Sequence, residues 1–118
     1  MMPRKRSPRA RRARAVLILS SYPRRAAAER AALSLVRRRI LACATVTPSA
    51  RAFYRWKGRL MTEAATLLWG KTTSSRAKEA IQAIRESHPD QVPEILVLPV
   101  SGGEPRYMRW LSEEVEGR

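Results

Sequence analysis

The chain has 118 residues, with 24 Lys plus Arg against 10 Asp plus Glu and a formal net charge of +14. That length suits one domain with a real core, and 44% hydrophobic residues set it apart from disordered chains. No apolar run approaches the ~20 residues that cross a bilayer, while one Cys excludes a disulfide framework or a Cys-rich zinc module.

Residues 1–14 hold seven basic side chains and no acid, which leaves 24 − 7 = 17 basic and 10 acidic groups, or +7, for residues 15–118. Like-charged blocks repel themselves, so this stretch reads as a disordered basic arm outside a single domain of residues 15–118. Three readings of the arm stay open: phosphate binding to nucleic acid, an organelle-targeting segment, or a solvated extension. With no secretory apolar segment, a reducing cytoplasmic compartment is the expectation, and no membrane association is expected.

Ala15-Val16-Leu17-Ile18-Leu19 reads as a strand covered on both sides, with Ser20, Ser21 and Pro23 as a turn into a helix. Residues 24–39 place Ala27, Ala28, Ala31, Ala32, Leu35 and Val36 at helical spacing and close on three arginines, which suit the negative end of the helix dipole. Residues 40–56 read as extended, and Pro48 marks an edge or a bulge within them. Lys57-Gly58 is a tight-turn signal into a second extended stretch, residues 59–73. A helix is expected over 75–87, ended by His88-Pro89. Ile95-Leu96-Val97-Leu98-Pro99-Val100 reads as a third buried strand run, and a short helix follows over 105–115.

Strand–helix–strand thus occurs twice, the split βαβ pattern of an α+β, ferredoxin-like sandwich. The hairpin is too long for it. Residues 42–56 at ~3.3 Å each span roughly 45–50 Å, whereas a compact 100-residue domain is roughly 34 Å across. An extended β-hairpin that protrudes calls for cover by another chain, and closed self-association is the natural answer.

Several runs then stand in the order of a known family: Leu41-Ala42-Cys43-Ala44, Tyr54-Arg55-Trp56-Lys57-Gly58, Lys71-Thr72-Thr73, His88-Pro89-Asp90-Gln91-Val92-Pro93-Glu94-Ile95, Leu98-Pro99-Val100 and Tyr107-Met108-Arg109-Trp110-Leu111. Over about residues 15–115 the chain resembles the CutA divalent-cation tolerance proteins. The resemblance implies a ferredoxin-like, trimer-forming fold and a homotrimer whose extended strands pair across subunits. The chain departs from the family pattern at Lys57, where an acid is usual, near Met61 and Ala65, where acids are usual and only Glu63 remains, and at Asp90, where a Tyr is usual.

No nucleophile–base pair is visible, and Gly102-Gly103 reads as a turn rather than a phosphate loop, so an enzyme is not expected. Cys43, His88 and Glu94 carry the donors for a metal site, because soft thiolate and imidazole suit copper and zinc. The resemblance implies copper binding at Cys and His positions such as Cys43 and His88. Plain readings stand beside these: a small buried hydrophobe for Cys43, a helix cap for His88 and a salt bridge for Glu94. Tyr54, Trp56, Lys71 and Trp110, with His88 and Glu94, form a candidate cleft or interface between subunits. The reading that follows is a homotrimer for divalent (Cu²⁺) tolerance or binding, with no organic cofactor. Its alternatives are a signalling or scaffold trimer with a small molecule or protein partner in its clefts, and nucleic-acid association through residues 1–14.

Overall fold

The computed structural model describes residues 14–116, so the expectations for the basic arm lie outside the described residues apart from Arg14. Along the chain come β1 (Ala15–Tyr22), α1 (Arg25–Arg37), β2 (Cys43–Trp56), β3 (Arg59–Thr73), a 3-10 turn (Ser74–Arg76), α2 (Ala77–Ser87), β4 (Ile95–Pro99) and α3 (Pro105–Glu116). The strands form one antiparallel sheet in the order β2-β3-β1-β4. Two strand–helix–strand units folded onto one sheet give this order, and the α+β, ferredoxin-like sandwich expected from the pattern is the fold.

The core follows from the two periods of helix and strand. Alternate β1 residues Val16, Ile18 and Tyr22 are buried with Leu68 of β3, and Ala28, Ala31 and Leu35 of α1 and Ala80, Ala83 and Ile84 of α2 close over them. The alanines let both helices approach the sheet closely. A smaller cluster, Ala15, Ala42, Leu111 and Val115, docks α3 at the Ala15 end. No helix among the described residues is long and apolar enough to cross a membrane.

The hairpin protrudes as its length requires. β1 pairs with β3 only from Thr66 to Thr73, whereas β2 stays paired out to Trp56 against Arg59. The outer half of the ribbon therefore leaves the sheet, and the molecule measures 63 × 27 × 26 Å with a radius of gyration of 16.2 Å. A compact chain of this size would have about 13 Å. Pro48 lies in the register shift between Thr47 and Ala50, on an edge strand, where a missing N–H costs least. Ser49 takes φ 67° to make that bulge, and Lys57 and Gly58 take φ 51° and 78° at the tip, the paired positive angles of a two-residue type I′ turn.

Four expectations need correction. Ser20 and Ser21 are not a turn but part of β1, because Leu68 and Leu67 of β3 take up their ladder positions, and of the three expected turn residues only Pro23 lies beyond the strand. α1 stops at Arg37, not residue 39: Arg39 adopts φ 60°, its N–H bonds Val36 O and the Ile40 N–H bonds Leu35 O, which closes the helix in a Schellman motif and turns Ile40 and Leu41 into the core. A 3-10 turn precedes α2. Finally, β4 is an edge strand whose Leu96, Val97 and Leu98 are exposed rather than buried: nothing in one chain lies beyond that edge, and Leu96 and Leu98, paired with Leu19 and Leu17, are on the face opposite the helices.

Candidate functional site

The loop after α2 is set by His88. Pro89 restricts it to extended backbone (ψ 137°), so the helix ends there and the chain turns toward β1. Its imidazole is fully buried and stacks on Tyr22, with ring centroids 4.3 Å apart. The Asp90 N–H donates to Nδ1 at 3.0 Å, so that nitrogen carries no proton and Nε2–H donates to the Ser21 carbonyl at 2.7 Å. Both ring nitrogens are thus engaged within the chain. His88 fastens the 88–94 loop to the end of β1 through its side chain. The buried Ser20 hydroxyl adds a second tie, donating to the Glu94 carbonyl at 2.8 Å.

Between this loop and the protruding hairpin runs an open groove of about 500 Å³. Phe53, Tyr54 and Trp56 supply aromatic walls, and Glu63, Asp90 and Glu94 supply three carboxylates, out of only 10 acids in the chain. The Tyr54 hydroxyl donates to Glu63 Oε2 at 2.7 Å. That bond holds the Tyr54 phenol above its usual range, with burial and the charges of Glu63 and Asp90 adding to the push.

Cys43 lies elsewhere. It is half-buried at the start of β2, opposite Lys71, whose ammonium stands 3.9 Å from the sulfur and donates to Thr45 Oγ1 at 2.6 Å. Tyr107 of α3 lies beside it, its phenol pushed up first by burial and then by Cys43. Trp110 is exposed and tilted against Tyr107 at 5.5 Å.

The structure therefore brings Tyr54, Trp56 and Glu94 into one groove and leaves Lys71 and Trp110 out of it. Cys43 starts one edge strand and Glu94 immediately precedes the other. The row of Cys43 runs through Lys71 and Leu17 to Leu98, four residues beyond Glu94, so the two stand three strand spacings across and four residues along, roughly 19 Å apart. Among the described residues no group of three or more His, Cys, Asp or Glu side chains is placed to hold a metal ion. Cys43, His88 and Glu94 do not fit a single-chain metal centre.

Two of the three groove carboxylates, Glu63 and Asp90, were not among the expected site residues, and neither was the wall residue Phe53. For Glu63 the signal was present. A two-residue turn at Lys57-Gly58 pairs Trp56 with Arg59, hence Tyr54 with Met61 and Ala52 with Glu63, which puts Glu63 diagonally across from Tyr54. Nothing local points to Asp90, because only folding of the 88–94 loop carries it there.

Comparison with known proteins agrees with this architecture. The model of the family described as CutA1 divalent ion tolerance protein matches residues 16–114. A relative from Pectobacterium atrosepticum, named divalent-cation tolerance protein CutA, is 40% identical over 98 residues, covering 83% of this chain and 89% of its own. The crystal structure of CutA from Xylella fastidiosa superimposes with a TM-score of 0.84 at 34% identity, covering 86% of this chain and 98% of its own. The structure titled periplasmic divalent cation tolerance protein CutA from Archaeoglobus fulgidus gives 0.83 at 25% identity, covering 86% and 99%. With that coverage by both sequence and fold, the chain belongs to the CutA1 divalent ion tolerance family.

Proposed function

We propose that this chain serves divalent-cation tolerance as a homotrimer that takes up a divalent cation, Cu²⁺ ahead of Zn²⁺. The observation that carries this reading is the groove. A chain of net charge +14 gathers Glu63, Asp90 and Glu94 along one aromatic-walled cleft, which gives a cation a local attraction that the overall field opposes. Cys43 and Glu94 are the donors we assign to the cargo ion. One chain keeps them apart, so assembly is required for both to serve one site. His88 acts by holding the loop that carries Glu94. The exposed Leu96, Val97 and Leu98 on the β4 edge, and Phe53 and Leu60 on the hairpin, are the surfaces we assign to self-association. Cytoplasmic residence and the absence of a catalytic step are part of the same proposal.

Calorimetric titration of the full chain with Cu²⁺, repeated on Cys43→Ala and Glu94→Gln, tests the donors. We expect each substitution to weaken binding by at least tenfold. Unchanged binding in both overturns the assignment. Light scattering tests the assembly, and a monomer at micromolar concentration removes the homotrimer.

A second reading is favoured by the same cavity. Its volume and aromatic walls fit a small organic ligand or peptide of a signalling or scaffold trimer. Ligand-dependent quenching of Trp56 fluorescence without any metal would favour this reading over cation uptake.

A further inference from the structure

The described residues 14–116 hold 17 basic and 10 acidic side chains, a balance of +7, and this charge is not spread evenly. Residues 24–39, α1 with its two ends, hold six arginines and one acid, or +5. α2 is neutral, with Lys78 and Arg85 against Glu79 and Glu86, and α3 is −1, with two arginines against three glutamates. On α1 only Arg25 and Arg39 are neutralised, by Glu29 at 2.8 Å and Glu114 at 3.2 Å. Arg24, Arg30, Arg37 and Arg38 are exposed and have no ionic partner among the described residues. The arrangement works against the helix itself. Arg24 stands at the N-cap without a side-chain cap bond, no acid occupies the first turn, and two arginines face the positive end of the dipole.

We infer that the outer face of α1 is a docking surface for the phosphodiester backbone of a nucleic-acid duplex. Charge complementarity supports this occupant. Arg30 and Arg37 lie seven residues apart, two turns or about 10 Å along one face, and the guanidinium fork suits bidentate phosphate contact. From Arg24 to Arg38 the array extends about 21 Å, enough for several successive phosphates. A membrane surface fits less well. The apolar stripe of α1 (Ala28, Ala31, Leu35) is already buried in the core, and the exposed Leu33 and Val36 are two residues set among arginines, too little for the continuous apolar face an interfacial helix inserts. This surface lies on the fold itself and is independent of both the basic arm and the cation groove.

Fluorescence anisotropy of a labelled duplex of about 20 base pairs, titrated with the full chain across roughly 0.05 to 0.3 M KCl, reads the interaction. Replacing Arg30, Arg37 and Arg38 together by Gln removes three phosphate contacts. Affinity is expected to fall by about 100-fold or more at 0.1 M salt, and the slope of log K against log salt to become shallower by about 2.7. The same three positions as Lys keep the charge and should keep the slope. Should the triple Gln chain fail to fold by circular dichroism, Arg30→Glu alone reads the same contact, with about a tenfold loss. Unchanged affinity and slope in the Gln chain assign any duplex binding to the arm and overturn the inference. Binding to vesicles of phosphatidylcholine and phosphatidylserine that survives loss of the duplex interaction also overturns it.

Discussion

Replacing His88 by Ala separates a metal-ligand role from a structural one. The imidazole is completely buried, its Nε2–H donates to the Ser21 carbonyl, its Nδ1 accepts from the Asp90 amide, and its ring stacks on Tyr22. Truncation removes about 1 kcal/mol for the half-buried Ser21 carbonyl and less for the Asp90 amide, which water can reach. The lost stack adds about 1 kcal/mol, and the cavity left beside Tyr22 roughly 1–2 more. The expected cost is therefore about 3–4 kcal/mol. His88→Phe keeps the ring and loses the two bonds, so it should cost about 2 kcal/mol, or roughly half. Urea unfolding at matched protein concentration measures both, since any assembly makes apparent stability depend on concentration. A cost below about 1 kcal/mol for the Ala variant would refute the view that this imidazole holds the 88–94 loop. If the larger cost is found, weakened Cu²⁺ uptake in His88→Ala reports a loosened loop rather than a lost ligand.

A Cβ on Gly70 would lie 2.8 Å from both methyls of the buried Leu41, so Gly70→Ala should destabilise by about 1–3 kcal/mol. Leu41→Ala in the same chain should recover part of that cost, and a double-mutant cycle by thermal melting with no coupling would contradict the contact. Ser49 sits at φ 67° in the β2 bulge, so Ser49→Gly should raise stability by about 0.5–1 kcal/mol and Ser49→Val lower it. The Tyr22 hydroxyl is buried with no hydrogen-bond partner among the described residues. Burial pushes its phenol from 10.0 to about 12, with the neighbouring Ser87 offsetting only part of the push. Above pH 10 the unfolded chain loses this proton while the folded chain keeps it, so stability should fall between pH 10 and about pH 12. The fall is at most about 2.7 kcal/mol. Tyr22→Phe should remove this fall and keep neutral-pH stability equal or higher; an unchanged alkaline profile would count against the buried phenol.

Much of the fold could be read locally. Helical spacing in α1 and α2, the apolar runs of β1 and β4 and the Lys57-Gly58 turn each lie within a dozen residues, the range over which period and turn chemistry act. The turn also set the hairpin register, because a two-residue connection leaves only one pairing of Trp56 with Arg59. Pro48 announced its bulge, since the missing N–H excludes a central ladder position wherever the strand folds. The end of β1 could not be read this way. Ser20 and Ser21 look like turn residues until Leu67 and Leu68, more than forty positions away, pair with them.

The candidate site divides along the same line. From sequence alone came the donor types Cys43, His88 and Glu94, the aromatic pair Tyr54 and Trp56, and the excess of arginine. Only the tertiary structure decided which of them meet. Sheet order places Cys43 and Glu94 on opposite edges, loop folding uses both His88 nitrogens internally, and the hairpin carries Glu63 to face Asp90 and Glu94 across the groove. The physical reason is range. Hydrophobic period and turn chemistry are fixed by neighbours in the chain, whereas a side chain's partner is fixed by which distant strand lies beside it, and that is settled when the whole sheet closes on its core.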